Sequence, residues 1–246
     1  MKIVISTICL FLFISNSYGQ LSFGLKGGIS IPDLKAPNDG NPLSEGWKSR
    51  QGPYFGLVGN LMLTNKLGFQ TELNYSSQGG KKDGKQAIPV NQFVNPVPDG
   101  FPKYVYANYK SEAKINYIEL PVMLKLNFTF AKIFSFFVQG GPYGGYLLSA
   151  KNASSGSSYI YLDKEETTQA LPYKFSFDST ISIKDQLNKF NFGIQGGIGF
   201  SLKTPAGALL LTTGGNYGLT TIQKDPENGK NHTGAATITL GYVFNL

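Results

Sequence analysis

The sequence predicts an all-β protein: an eight-stranded antiparallel up-and-down transmembrane β-barrel with four long external loops and short periplasmic turns. Three observations predict it. Eight segments alternate apolar with small polar residues at a period of two, several of these runs reach 10 to 14 residues, and the links between them alternate between short and long. A period of two sends successive side chains to opposite faces of a strand, so each segment has one apolar face.

The first run, QLSFGLKGGISI, places Leu21, Phe23, Leu25, Ile29 and Ile31 on one face and Ser22, Gly24, Lys26, Gly28 and Ser30 on the other. The second carries Phe55, Leu57, Leu61 and Leu63 against Tyr54, Gly56, Val58, Asn60 and Met62. Only Thr64, Asn65 and Lys66 separate it from the third, where Leu67, Phe69, Leu73 and Tyr75 alternate with Gly68, Gln70, Glu72, Asn74 and Ser76. That spacing is a hairpin. The fourth run, INYIELPVMLKLNF, starts with Ile115 and Tyr117 on one parity and continues with Ile118, Leu120, Val122, Leu124, Leu126 and Phe128 on the other. A β-bulge between Tyr117 and Ile118 accounts for this slip, and Pro121 marks a missing ladder donor nearby. The alternative is that Tyr117 simply faces inward.

Phe134, Phe136, Val138, Tyr146 and Leu148 define the fifth run, and Phe190, Phe192, Ile194, Ile198, Phe200 and Leu202 the sixth. Leu209, Leu211, Thr213, Tyr217 and Leu219 define the seventh, and Ala236, Ile238, Leu240, Tyr242, Phe244 and Leu246 the eighth. The pairs 2 and 3, 4 and 5, and 6 and 7 are joined by a few residues. Segments 32–50, 79–113, 149–189 and 221–233 are long, polar and rich in Gly, Pro, Ser, Asn and Lys. In an up-and-down sheet this places every short turn at one end, with both termini, and every long loop at the other. The stretches SYIYL and YKFSF allow a small hairpin within 149–189.

Eight such strands could also close around a small ligand with the apolar face inward, as in a lipocalin-like soluble barrel. Three features favour lipid outside. The runs match the 9 to 11 or so residues a tilted strand needs to cross the hydrocarbon layer. The polar parity consists of Gly, Ser, Thr, Asn and Gln with few charges, which suits a crowded lumen better than a water-facing wall. Aromatic residues recur towards strand ends, where interfacial girdles form.

Residues 1–19 read as a cleaved export signal, leaving 20–246 as the barrel domain. Lys2 is the positive end, residues 3–14 an apolar run too short to span a bilayer as a helix, and Ser17 and Gly19 the small residues before a cut at Gln20. The single cysteine, Cys9, lies within this segment, so the mature chain has no thiol for a disulfide or a thiolate metal site. The net charge of +7 comes from dispersed lysines, without the basic stripe interleaved with stacking aromatics that nucleic-acid binding needs.

FGLKGGIS, YIELPVMLK at Tyr117 to Lys125, FGIQGGIGF and the closing LGYVFNL together resemble the porin-like outer-membrane β-barrel proteins called PorT-like. The resemblance spans the mature chain, and the Ile-Glu-Leu-Pro core of the fourth run is its most specific element. It implies residence in the bacterial outer membrane and insertion by the outer-membrane assembly machinery.

The chemistry to be expected is sparse. His232 is the one histidine and falls in the last long loop, without a Ser/His/Asp set or a metal constellation, so neither an enzyme nor a cofactor is expected. Lys26, Glu72, Glu119, Lys125 and Lys203 share the lumen parity. An unpaired buried ion is costly, so Glu72 and Glu119, on neighbouring runs, should reach a lysine or tyrosine hydroxyls. Such a network fills a narrow barrel with side chains and disfavours a diffusion pore. The long loops offer Trp47, Tyr104, Tyr106, Tyr109, Tyr159 and Tyr161 either as contacts for a protein, glycan or lipopolysaccharide partner or as their own packing. A small channel, or a part in a transport or secretion assembly, is the competing function.

Overall fold

The computed structural model describes residues 20–37 and 40–246; the export-signal reading lies outside them. The chain forms β1 (Gln20–Lys35), β2 (Gly52–Met62), β3 (Leu67–Pro89), β4 (Tyr104–Thr129) and β5 (Phe134–Ser155). Three short strands follow: β6 (Ser157–Ser158), β7 (Phe175–Ser176) and β8 (Ser179–Ser182). The chain ends with β9 (Phe190–Thr204), β10 (Gly207–Gly218) and β11 (His232–Asn245). The order β4-β3-β2-β1-β11-β10-β9-β5 is closed by pairing of β4 with β5, which makes an eight-stranded antiparallel barrel, and β8 adds to the far end of β5.

Which face points outward decides between lipid and ligand. Phe23, Phe69, Phe192 and Phe200 are 54%, 44%, 55% and 53% exposed, and Leu21, Leu25, Ile29, Leu73, Ile194 and Ile198 on the same strands are also exposed. Ser30, Asn60, Gln70, Asn74, Gln78, Asn191 and Thr239, on the opposite parity, are buried. The oily side is therefore the outer wall, the reverse of a lipocalin-like cup. Aromatic contacts gather at two levels of that wall. At the short-turn end Phe23 meets Phe244, Phe128 meets Phe136, and Phe136 meets Phe200. Towards the long-loop end Phe55 stacks on Tyr75 and Tyr146 packs edge-on against Phe190.

Tyr117 faces inward and is fully buried, so β4 keeps one parity throughout and contains no phase slip. The irregularity lies opposite: Asn116 pairs with Ser149 and Tyr117 with Leu147, leaving Leu148 as the extra residue in β5.

Two segments expected as loops carry more strand than their composition suggests. The β3–β4 ladder does not stop near Gly79 but runs on to Pro89 opposite Tyr104, forming an arm beyond the barrel. The β5 strand runs on to Ser155, and within 149–189 a two-residue ladder joins β6 to β7. This arm has its own core of Ile88, Val90, Val105, Ala107 and Ile160, packed by Tyr109, Leu162, Leu171 and Phe177.

Candidate functional site

The lumen is built in three layers. Near the short-turn end Val58, Phe137, Leu210 and Val243 form an apolar plug. Near the long-loop end Leu34, Ala113, Ile115, Tyr117, Leu147 and Ala150 meet Leu187 and Ile222, two loop residues folded into the mouth, with Trp47 against them. Inward-facing polar residues of β1, β3, β4, β9 and β10 fill the space between.

That middle layer is a hydrogen-bonded network. The Lys26 ammonium lies 2.5 Å from Glu72 Oε2 and 4.6 Å from the centre of the Tyr54 ring. Glu72 also accepts from Gln70 at 2.6 Å, Asn74 at 2.9 Å and Gln195 at 3.1 Å. Asn74 donates to the Tyr54 hydroxyl at 2.9 Å. The Lys125 ammonium donates to Gln70 at 2.8 Å and Asn60 at 3.3 Å, and sits 4.1 Å from the centre of the Phe137 ring. Glu119, fully buried, accepts from Asn216 at 3.0 Å and Gln78 at 3.4 Å. A buried charge persists when its hydrogen-bonding capacity is met, and here side-chain amides meet much of it.

Four of the five residues placed in the lumen by parity are therefore brought together: Lys26, Glu72, Glu119 and Lys125. Glu72 has a lysine partner and Glu119 has none. One lysine serves Glu72 alone, while Glu119 is held by amides; the Tyr117 hydroxyl makes no hydrogen bond and that of Tyr143 turns to Thr233 at 3.4 Å. Lys203 has the lumen parity but lies exposed at the short-turn end of β9, outside the network. The apolar plugs were hidden because Phe137, Tyr143 and Leu147 interrupt the polar parity of their strand; that interruption was the available signal.

The six loop aromatics are all half-buried within the external region. Tyr109 stacks on Phe177 at 4.3 Å, and its phenol is pushed up by burial. Tyr106 and Tyr161 exchange two backbone hydrogen bonds of 2.8 Å. Lys82 lies 4.6 Å from the Trp47 ring centre, Lys103 5.6 Å from that of Tyr104 and Lys174 5.7 Å from that of Tyr159. Trp47 packs against the cluster at the mouth and Tyr109 against the core of the arm. Exposed apolar surface lies on Phe93, Val94, Val97 and Phe101 at the tip of the arm, where the Phe93 ring also meets Phe175 edge-on at 5.9 Å. His232 opens β11 instead of lying in a loop; its Nδ1 is 3.0 Å from the Gly218 carbonyl and its ring stacks on Tyr217. Among the described residues no three His, Cys, Asp or Glu side chains cluster as metal ligands, and no helix is long and apolar enough to cross a membrane, a statement that does not bear on strands.

The family model for the outer membrane protein beta-barrel domain matches residues 15–224. The chain belongs to this family. This outer-membrane β-barrel protein shares little sequence with the solved barrels it is similar to. It is similar to Ail, the attachment invasion locus protein of Yersinia pestis, solved with the heparin analogue sucrose octasulfate, at 10% identity over 92% of this chain and 99% of that one, with a TM-score of 0.39. Neisserial surface protein A is 12% identical over 89% and 96% of the two chains, TM-score 0.40, and OprG of Pseudomonas aeruginosa 12% over 93% and 98%, TM-score 0.38. No curated protein matches the sequence.

Proposed function

We propose that this chain is a non-enzymatic barrel, sealed by its own side chains, that holds an external module over the outer membrane for contact with a protein, glycan or lipopolysaccharide partner. In this reading residues 1–19 direct export, the short turns are periplasmic and the long loops external. The last strand, β11, with Tyr242 and Phe244, is what the outer-membrane assembly machinery engages. Within the family, the Ile118 to Pro121 core supports kinship with the PorT-like proteins.

The observation that carries this reading is the pair of apolar plugs above and below the polar layer. Two apolar layers across the lumen oppose the passage of water and ions, whereas the arm outside keeps a separate core and an exposed apolar tip. Apolar surface of that kind, standing free on a polar module, is characteristic of contact sites. The commitment of His232 to a backbone carbonyl and of both lumen carboxylates to structural partners supports a role without catalysis.

The polar layer favours one competing reading. Its hydrogen bonds link Asn60 through Lys125 and Gln70 to Glu72, which is the arrangement a small channel or transport component would use. Planar-bilayer recording of the purified full chain separates the two. The sealed barrel gives no steady conductance, and the Phe137→Ala, Leu147→Ala double variant, which thins both plugs, gains unitary steps. Steady, sizeable steps from the unaltered protein would refute the sealed reading.

A further inference from the structure

The outward face of the β3–β4–β5 wall changes character abruptly above its aromatic level. Tyr75, Ile118 and Tyr146 lie side by side across the three strands, and the next outward row is Ser77, Asn116 and Ser149. Beyond it come Gly79, Lys114 and Lys151, then Lys81, Glu112 and Ala153, then Asp83, Lys110 and Ser155. Lys114 and Lys151 are thus directly opposite each other, and Lys48 bridges directly to Lys81. All four, with Lys110, are exposed.

Like charges directly opposite on neighbouring strands are destabilising, and this wall has two such pairs a few residues apart. Glu112 offsets part of the charge: burial pushes its carboxyl up, but Arg50 at 2.8 Å and Lys114 at 3.3 Å hold it below its ordinary value. Asp83 lies 3.8 Å from Lys110. Six cations, Lys48, Arg50, Lys81, Lys110, Lys114 and Lys151, face two carboxylates, leaving an excess of four positive charges on one wall. A cleft of about 590 Å³ lined by Lys48, Lys81, Lys110 and Glu112 runs along it. The other side of the barrel differs. On β1 the corresponding Lys35 is neutralised by Asp33 at 2.9 Å, and the β11 residues opposite these two are His232 and Gly234, so no second lysine faces it.

We infer that this wall binds a phosphorylated glycolipid of the outer leaflet, its phosphates held by Lys114 and Lys151 and flanked by Lys81, Lys48 and Lys110, with its acyl chains on the apolar belt below. Continuity decides the occupant. A lipid whose chains lie against Ile118, Tyr146 and Leu148 has its headgroup one to three residue pairs higher, the level of the opposed lysines. A phosphate dianion between Lys114 and Lys151 turns their mutual repulsion into two charge-assisted contacts. The inference rests on the orientation given above, long loops outward, and is independent of whether the lumen is sealed.

The test reconstitutes the full chain into phosphatidylcholine nanodiscs containing, at equal low mole fraction, either phosphorylated lipid A or lipid A with its phosphates removed. Native mass spectrometry after release counts the lipid A retained per protein. Retention should be on the order of tenfold greater for the phosphorylated form. The Lys114→Gln, Lys151→Gln variant should lose that preference, the Lys114→Arg, Lys151→Arg variant should keep it, and Lys132→Gln, Lys224→Gln should behave as the parent. Heat-dependent gel migration of each variant establishes that its barrel is folded. Equal retention of the two lipids, loss of preference with the Lys132 and Lys224 changes, or displacement by millimolar inorganic phosphate would each overturn the inference, the last by showing a site for free anions. Protease accessibility of the arm in intact cells tests the orientation separately, so failure of that premise is distinguishable from failure of the site.

Discussion

Replacing Glu72 by Gln is the sharpest perturbation of the lumen. The amide keeps the volume but removes the charge facing the Lys26 ammonium at 2.5 Å, and its NH2 group must replace one of the two accepting oxygens, either Oε1, which accepts from Gln70, or Oε2, which accepts from Lys26, Asn74 and Gln195. Lys26 and Glu72 side chains are 9% and 1% exposed, so water cannot take over either role. Removing one partner of a buried pair costs about 3 to 5 kcal/mol, most of it from the ion left behind. Lys26→Met should cost about 3 kcal/mol, at the low end, because Glu72 keeps its three amide donors. The Lys26→Met, Glu72→Gln double variant, with no uncompensated ion, should lie within about 1 to 2 kcal/mol of the parent. Urea unfolding in phosphatidylcholine vesicles, followed through the fluorescence of Trp47, the only tryptophan, measures all four proteins at constant denaturant slope. A coupling energy below about 1 kcal/mol would refute the view that this pair holds the middle layer together.

Three further outcomes follow from other parts of the molecule. A Cβ at Gly24 would lie 1.8 Å from the Tyr242 carbonyl oxygen on the neighbouring strand. Gly24→Val should therefore stop β1 from closing onto β11, seen as loss of the fast-migrating unheated band on gels; a normal folded band would contradict this. Burial lowers the Lys82 ammonium to about 8 while it sits over Trp47. Trp47 emission should titrate near that pH and cease to do so in Lys82→Met. The folded value is below that of a free lysine, so the unfolded chain holds more protons between about 8 and 10.5, and this group makes stability rise with pH across that window. Ile88→Ala removes a buried side chain from the small core of the arm, a loss of about 2 kcal/mol or more. Proteolysis within 156–178 should then accelerate more than tenfold while heat-dependent migration of the barrel stays unchanged.

Much of the barrel was legible because a period of two leaves little freedom: shifting β1, β9 or β11 by one residue would turn every phenylalanine inward. The arm was not legible, because Gly79, Gly80 and Gly84 among Lys81, Lys82 and Lys85 have the composition of a turn. The weak counter-signal was the alternation that buries Gln86 and Ile88 on one strand and Val105 and Ala107 on the other. Parity identified Lys26, Glu72, Glu119 and Lys125 as lumen residues, yet it carries no information about depth. Lys203 shares their face and still ends in solvent, because β9 reaches the short-turn end there. The partner of each ion depends on how strands tilt past one another, which no single strand encodes; hence Glu119 meets Asn216 and Gln78 in place of a lysine.

The arm is a direct continuation of the wall, with the β3–β4 ladder running unbroken from Asn74 opposite Glu119 to Pro89 opposite Tyr104. Such a projection is joined to the barrel by continuous backbone pairing. It behaves as a mast rather than a tether: its tip is held at a set height and bearing, and whatever grips Phe93 or Phe101 pulls on the barrel staves themselves.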